Sequence, residues 1–317
     1  MGKQENLTIV SRQDGLDLAV LYMQPEGRFC KGIVQIVHGM SEYKERYLPF
    51  MEFLAKHGYA SVIHDHRGHG ESVNSKADYG YMYEVGTDGF LDDILAVNAL
   101  AGEKMPGIPL IMFGHSMGSL AARSLMREYD AVLDGLILSG APCKNTAVGA
   151  AIILVKLQKM IFGGKHVANL LAVLSFRAYS KRFAGEGSSF AWINSDPAVV
   201  AAYDADPACG FTFTVDGFQT LFELMNRTFR KAGWRCSKHA LPILFMAGAE
   251  DPCIENKKKF KEEVDFMKGV GYQDVQSILY EGMRHEILNE PDKQKVFENV
   301  LVYLEKNFGG NETYEEI

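Results

Sequence analysis

The chain has 317 residues, of which 47% are apolar and 23% charged, and its net charge is −7. These values are ordinary for a soluble globular protein. They lack the basic patches of a nucleic-acid-binding protein, and no apolar run approaches the ~20 residues of a membrane span. The five cysteines are odd in number and far apart, which favours a reducing compartment and predicts a cytoplasmic protein without a disulfide framework.

The N-terminal half of the chain alternates between predicted strands and helices. Apolar runs at residues 7–10 and 16–23 flank Asp14-Gly15, which is a hairpin signal. Helical patterns at 47–57 and at 87–100, the latter with Thr87 or Asp88 as N-cap, then separate apolar strands at 31–37, 59–64, 110–113 and 133–138. This alternation predicts a parallel α/β sheet with right-handed crossovers, in which ligands bind at the carboxyl ends of the strands.

The alternation stops at about residue 142 and resumes at about residue 241. Apolar helical stretches at 147–162 and 167–176 fall in the interruption, and strands at 242–247 and 275–280 with helices at 256–268 and 292–307 follow it. We therefore expect one α/β core domain formed by residues 1–141 and 241–317, with a mainly helical cap, residues 142–240, inserted into it. The tail at 311–317 is expected to fray.

The pentapeptide Gly114-His115-Ser116-Met117-Gly118 follows a buried strand and opens a helical pattern. This is the G-x-S-x-G nucleophile elbow in its proper context, and it predicts a nucleophilic serine. The glycines are needed because the serine adopts a strained conformation in which neighbouring side chains would collide with the strand and helix. The turn also points the Met117 N–H at the position of an oxyanion.

A nucleophilic serine needs a base, and the base needs an orienting acid. In this fold the acid follows the next-to-last strand and the histidine follows the last. Asp251 and His285 occupy these positions, and Asp251 is preferred to Glu250 because Pro252 would fix its loop. The loop after the strand at 31–37 is expected to supply a second oxyanion donor, the N–H of Met40.

Several segments together resemble the monoacylglycerol lipase/lysophospholipase family of α/β-hydrolases. They lie at residues 38–47, 64–72, 114–118, 248–251 and 285–286. The resemblance implies a mostly parallel, eight-stranded α/β-hydrolase sheet and cofactor-free, metal-free hydrolysis of single-acyl esters through an acyl-enzyme. The residues it implies are the triad Ser116, Asp251 and His285, the oxyanion donors Met40 and Met117, and the supporting residues His38, Gly39, Gly114, His115 and Gly118.

The resemblance also suggests residues for the leaving-group end of the substrate. Glu42 and Arg46 match a glutamate and an arginine that lie close to the glycerol-binding end in monoglyceride-specific members. Those members carry a second histidine three residues after the catalytic one, where this chain has Leu288. The departure leaves lysophospholipids, short esters and amides open as substrates.

Two other functions compete with the serine hydrolase. His64, His66 and His69 have the H-x-H-x-x-H spacing of binuclear zinc hydrolases, although Gly68 stands where the metallo-β-lactamase type has aspartate. The spacing also suits a histidine cluster that braces the strand end. The second alternative is a ligand receptor that keeps the hydrolase fold without turnover.

The predicted cap has three interpretations. Its apolar stripe, formed by Ala150, Ile153, Leu154, Leu157 and Ile161, has helical spacing, which usually marks core. Such a face could instead line an acyl tunnel or make transient contact with a membrane surface. Further candidates for the lining are Phe211, Phe213, Phe218 and Met225.

Overall fold

The computed structural model describes residues 2–27 and 29–310, so the tail expected to fray lies outside the described residues. Eight strands form its single sheet. They are β1 (Gln4–Val10), β2 (Asp17–Met23), β3 (Gly32–Val37), β4 (Tyr59–His64), β5 (Leu110–His115), β6 (Gly135–Ser139), β7 (Ile243–Gly248) and β8 (Val275–Tyr280).

The strand order is β1-β2-β4-β3-β5-β6-β7-β8. The first two strands pair antiparallel with each other and β2 pairs antiparallel with β4, whereas every pair from β4 to β8 is parallel. The predicted eight-stranded, mostly parallel α/β-hydrolase sheet is therefore confirmed. Strands β3 to β7 are buried at every position, which explains why their sequences are continuous apolar runs.

Helices cover both faces of the sheet. They are α1 (Leu48–Lys56), α2 (Gly86–Lys104), α3 (Met117–Tyr129), α4 (Val148–Phe162), α5 (Asn169–Arg182), α6 (Pro197–Ala205), α7 (Val215–Phe229), α8 (Lys257–Gly269) and α9 (Lys293–Phe308). One core cluster joins the sheet to α2, α3, α7 and α8, and a second joins it to α1 and α9. No helix in the described ranges combines the length and apolar content that a membrane crossing needs.

Helix α2 begins two residues earlier than the N-cap prediction allowed. Its first residue is Gly86, and neither Thr87 nor Asp88 is the cap. The Thr87 hydroxyl instead donates a hydrogen bond to Glu223 of α7 at 2.8 Å. The Thr87 side chain, which the local pattern predicted to cap the helix, thus binds a residue more than a hundred positions away in the sequence.

The chain between β6 and β7 carries α4 to α7. Helix α4 packs on α7 and buries Val148 and Val155, which lie seven residues apart on one face. The predicted stripe is on the other side: Leu154 is half-buried, and the remaining four residues, Ala150, Ile153, Leu157 and Ile161, are exposed. The interpretation of this stripe as core is therefore wrong, because the packing face of α4 is narrower than its apolar surface.

Candidate active site

Ser116 occupies the tight turn between β5 and α3. Its backbone has φ 50° and ψ −116°, a combination that costs a non-glycine residue on the order of 1–3 kcal/mol. The turn is held on both sides, because the Ser116 N–H donates to the Ser139 carbonyl at 3.0 Å and the Ser116 carbonyl accepts from the N–H of Ser119 at 2.9 Å. Strain maintained by such contacts is typical of functional turns.

Close packing of backbone on backbone explains the glycines of this turn. A Cβ on Gly118 would lie 1.9 Å from the Val37 carbonyl oxygen, and one on Gly114 would lie 2.7 Å from the Gly118 carbonyl oxygen. Any side chain at either position would therefore separate α3 from β3 or β5. The collision that the sequence argument expected is present at both glycines.

Two backbone N–H groups beside Ser116 lack acceptors within the described part of the chain. They belong to Met117, the first residue of α3, and to Met40, in the loop after β3. The neighbours of Met40 are occupied, because the Gly39 N–H donates to Glu42 and the Ser41 N–H donates to His69. A Cβ on Gly39 would lie 3.2 Å from the Ser116 Cβ, so this loop runs directly beside the serine.

His285 and Asp251 form a buried pair in the loops that follow β8 and β7. Their Nδ1 and Oδ2 atoms are 2.9 Å apart, and their side chains are 4% and 0% exposed. Burial alone would lower the pKa of His285, but the Asp251 carboxylate raises that pKa well above its ordinary value. The pair is arranged to stabilise an imidazolium, as a base that accepts a proton from serine requires.

The end of β6 connects Ser116 to His285. The Ser116 N–H binds Ser139, and a Cβ on the next residue, Gly140, would lie 2.9 Å from the His285 Nδ1. The ring of His115 also lies 4.7 Å from the ring of His285. Chain positions 116, 251 and 285 thus converge at the carboxyl ends of neighbouring strands. The hydroxyl of Ser116 has no hydrogen-bond partner among residues 2–27 and 29–310.

Glu42 and Arg46 are engaged by protein partners. Arg46 forms a two-pronged ion pair with Glu286 at 2.7 Å and also contacts Glu42 at 3.1 Å. Burial would raise the pKa of Glu286, but the Arg46 guanidinium lowers it. The contact of Glu42 and Arg46 with a substrate stays a prediction. Leu288, which stands where monoglyceride-specific members have a second histidine, is buried beside them.

The histidine cluster, together with His38, forms hydrogen bonds with nearby backbone groups. The His66 N–H donates to His38 Nε2 at 2.9 Å, and the Ser41 N–H donates to His69 Nε2 at 3.2 Å. Burial is the main reason that the pKa of His64 is lowered to about 3 and that of His69 to about 4. Both rings are therefore neutral at physiological pH. This arrangement agrees with the bracing interpretation of the cluster.

An aromatic cluster extends from His285 into the chain between β6 and β7. The rings of Trp192, Phe176, Phe218 and Phe213 follow one another with centroid separations of 5.0 to 6.4 Å, starting from His285. Phe211 joins the far end at 6.2 Å from Phe213. Met225 lies further along α7, half-buried against the same core. Phe211, Phe213 and Phe218 are thus brought together, and their role as a lining stays a prediction.

Four residues at this site were not predicted from the sequence. Trp192 stacks near His285, Glu286 pairs with Arg46, and the Cys253 sulfur lies within 4.8 Å of the facing atoms of Asp251 and His285. Tyr179 packs on Trp192 with ring centroids 5.3 Å apart. Burial raises the pKa of Cys253 to about 11, which makes it a neutral thiol. Cys253 and Glu286 adjoin predicted site residues in the sequence, whereas Trp192 and Tyr179 gave no local signal.

Comparison with known proteins agrees with this geometry. The family model described as serine aminopeptidase, S33 matches residues 30–292. A monoglyceride lipase homolog from monkeypox virus is 32% identical over 270 residues, covering 84% of this chain and 85% of the relative. A monoacylglycerol lipase from Mycolicibacterium smegmatis is 27% identical over 274 residues, covering 86% and 88%.

A solved structure extends the likeness to three dimensions. A thermostable carboxyl esterase from Bacillus coagulans, in complex with glycerol, superposes with a TM-score of 0.88 at 25% identity and covers 96% of this chain and 99% of its own. The chain therefore belongs to the serine aminopeptidase S33 family and to the monoacylglycerol lipase and lysophospholipase family of α/β-hydrolases, and it is a carboxylic ester hydrolase.

Proposed function

We propose that the chain hydrolyses carboxylic esters of single acyl chains through an acyl-enzyme, with Ser116 as nucleophile, His285 as general base and Asp251 as its orienting acid. The observation that carries this proposal is the strained Ser116 turn beside a buried His285–Asp251 pair, hydrogen-bonded at 2.9 Å. These are the parts that a serine nucleophile needs, each at the end of a different strand.

The chemistry follows from the residues. His285 takes the proton of Ser116 as the serine oxygen attacks the acyl carbonyl, and Asp251 stabilises the imidazolium that forms. The resulting oxyanion accepts hydrogen bonds from the N–H groups of Met40 and Met117, which have no other acceptor within the described residues. His285 then protonates the departing alcohol, and in the second half it activates water to cleave the acyl-enzyme.

The substrate class in this proposal rests on the aromatic cluster and on the named relatives. Residues 142–240 would form a cap, and Trp192 and Phe176 of that segment begin an apolar path at His285. Such a row of apolar rings suits contact with one acyl chain, and the M. smegmatis relative is named a monoacylglycerol lipase. The head group stays open because Leu288 replaces the histidine of monoglyceride-specific members, so lysophospholipids, short esters and amides remain candidates.

We also propose that the cap contacts a lipid surface transiently. Nine large apolar side chains of α4, α5 and their connection are 46% to 76% exposed, namely Ile153, Leu157, Met160, Ile161, Phe162, Val167, Leu170, Val173 and Leu174. The surrounding segment, residues 144–186, carries seven basic residues and one acidic residue, whereas the whole chain has a net charge of −7. An apolar face with a basic rim suits an anionic lipid surface.

The function is tested with a series of esters from short to long acyl chains, using wild type beside Ser116→Ala. We expect rates that depend on Ser116 and peak at medium or long chains, with a loss on the order of 10⁴-fold or more in the variant. Rates confined to the shortest esters would indicate a general carboxylesterase. Labelling of Ser116 by a fluorophosphonate with no turnover would favour the receptor alternative.

The surface contact is tested separately by flotation of the Ser116→Ala protein with vesicles. Binding should be stronger to phosphatidylglycerol than to phosphatidylcholine and should be lost in Met160→Glu/Leu174→Glu. Val302→Glu is the matched control, because Val302 is 66% exposed on α9 and lies outside this face. Equal binding by all three proteins would overturn the surface proposal and leave the hydrolase proposal standing.

A further inference from the structure

The loop after β3 is fixed by side chains on both sides of Met40. The Gly39 N–H donates to Glu42 Oε1 at 2.5 Å, and the Ser41 N–H donates to His69 Nε2 at 3.2 Å. Ser41 has a left-handed φ of 55°, and its carbonyl oxygen accepts from the Tyr203 hydroxyl at 2.9 Å. The orientation of the intervening Met40 N–H is therefore set by contacts on its two neighbours.

A buried ionic cluster, formed by Glu42, Arg46 and Glu286, adjoins this loop. Arg46 donates to Glu42 Oε2 at 3.1 Å and to both oxygens of Glu286 at 2.7 Å, and its guanidinium stacks on the Tyr203 ring at 4.9 Å. The three ionic side chains are only 4% to 13% exposed. Arg46 is thus held between two carboxylates that adjoin opposite sides of the site, one in the Met40 loop and one next to His285.

A small cavity adjoins Glu42 in this structure. The cavity that Glu42 lines together with Arg46, Glu286 and Leu288 measures about 10 Å³, the volume of a single water at most. The Glu42 Oε1 atom lies 2.7 Å from where a Gly39 Cβ would be, and the Ser116 Cβ lies 3.2 Å from the same point. Glu42 Oε1 and the Ser116 Cβ therefore lie on the same side of Gly39, and the carboxylate contacts the loop there.

We propose that Glu42 is a positioning residue that fixes the Met40 N–H through the Gly39 N–H, and that Arg46 and Glu286 hold Glu42 in place. The inference rests on the proposed role of Met40 as an oxyanion donor. It assigns to the ionic cluster the support of the oxyanion loop.

A carboxylate suits this position because all its partners are donors. Glu42 Oε1 accepts from the Gly39 N–H and from the Tyr47 hydroxyl at 3.0 Å, while Oε2 accepts from Arg46. An amide at this site would keep one acceptor but would turn its NH₂ group toward the Arg46 N–H. Burial raises the pKa of Glu42 to about 7, although the Arg46 guanidinium acts in the opposite direction. The assay is therefore run at pH 8, where Glu42 is a carboxylate.

The test is Glu42→Gln at pH 8. We expect kcat to fall about 10²-fold with KM unchanged, because a displaced donor is lost only to the transition state. The Ki of an alkyl boronic acid, which forms a tetrahedral adduct with the serine, should rise by the same factor. Arg46→Met should shift the same two quantities in the same direction.

The matched control is Glu263→Gln. Glu263 is also a buried carboxylate paired with a buried arginine, Arg123, at 2.7 Å, and it contacts no residue of the Met40 loop. It should lower the melting temperature and leave kcat and the boronate Ki unchanged. The positioning role would be overturned if Glu42→Gln left kcat unchanged, whether or not KM rose. Turnover in Ser116→Ala would instead overturn the proposed function.

Discussion

The replacement of Gly140 by alanine is the sharpest test of the proposed role of His285. Gly140 directly follows β6, has φ 54°, and faces the ring of His285. A Cβ at this position would lie 2.9 Å from Nδ1 and 3.0 Å from Cε1 of that ring. The methyl group would therefore press on the atom that binds Asp251.

The size of the effect follows from these distances. Carbon contacts normally begin at about 3.5 Å, so the ring or the backbone must move by about 0.6 Å. His285 has little room to retreat, since His115 and Trp192 lie 4.7 and 5.0 Å from its ring. The hydrogen bond to Asp251, now 2.9 Å, would approach the limit of its range. A displacement of this size in a catalytic group reduces the rate by about 10²-fold.

The measurement compares Gly140→Ala with Gly282→Ala. Gly282 also has a left-handed φ, 76°, and it precedes His285 by three residues, but no atom lies within 4 Å of its Cβ position. Both variants should lose about 1–2 kcal/mol from backbone strain, which appears as a lower melting temperature. Only Gly140→Ala should lose kcat/KM on a medium-chain ester and label more slowly with a fluorophosphonate.

Two results would contradict this reasoning. A Gly140→Ala enzyme with wild-type kcat/KM would mean that the ring moves freely or that His285 is not the base. Equal loss of activity in Gly282→Ala would mean that strain in the loops, rather than contact with the imidazole, controls the rate.

Three further predictions concern the rest of the molecule. Arg123→Ala should cost about 3–5 kcal/mol of unfolding free energy, measured in urea, because Glu263 would be left as an unpaired buried charge. Treatment with EDTA should leave kcat unchanged, whereas a zinc hydrolase would lose activity that added zinc restores. Stability should fall as pH drops below 6.5, by about 1.4 kcal/mol per pH unit for each histidine whose folded pKa is lowered, because the unfolded chain then binds more protons. Melting temperatures between pH 7.5 and 5.5 test this for the five buried histidines whose pKa is lowered, namely His38, His64, His66, His69 and His115. The raised pKa values of Glu42 and His285 oppose the trend, because these two groups hold protons in the folded state at a pH where the unfolded chain releases them.

The sheet could be predicted from the sequence because its strands carry their own signal. Buried parallel strands must be apolar on both faces, so residues 59–64 are predicted to the residue. The edge strand at 275–280 is only partly buried, and its bounds also match the prediction. The elbow glycines were predictable for a similar reason, since backbone contact at Gly118 excludes every other residue. In each case a local requirement on the backbone determines the residue type.

Tertiary partners account for what the sequence could not predict. Glu286 binds Arg46 across 240 residues, and the Thr87 hydroxyl reaches Glu223 rather than its own helix end. The apolar stripe of α4 has the spacing of a core helix, and only the position of α7 decides which face is covered. Periodicity identifies an apolar face, but it does not say whether protein, substrate or lipid contacts that face.

The H-x-H-x-x-H spacing is compatible with zinc binding and with bracing of the strand end. The hydrogen-bond partners of the histidines distinguish these two roles. The bonds around the cluster imply neutral tautomers: His38 Nδ1–H donates to the Gly39 carbonyl at 2.8 Å, and His69 Nδ1–H donates to that of Arg67 at 3.0 Å. Their Nε2 atoms are then the acceptors for the N–H groups of His66 and Ser41.

This use of the lone pairs links the cluster to the oxyanion loop. The His66 ring contacts His64 Nε2 and the His38 carbonyl, each at 3.2 Å. His64 Nδ1 is then the one imidazole nitrogen of the motif without a partner in the described chain. Zinc takes at least three protein ligands, so binding it through His64, His66 and His69 would break one of the two ring contacts of His66, to His64 Nε2 or to the His38 carbonyl. It would also break the bond by which His69 Nε2 holds the Ser41 N–H. Since Ser41 adjoins Met40, a metal in this cluster would release the loop that Glu42 holds from the other side. The cluster and the ionic group therefore act on the same loop, and the motif's histidines serve the site as neutral acceptors.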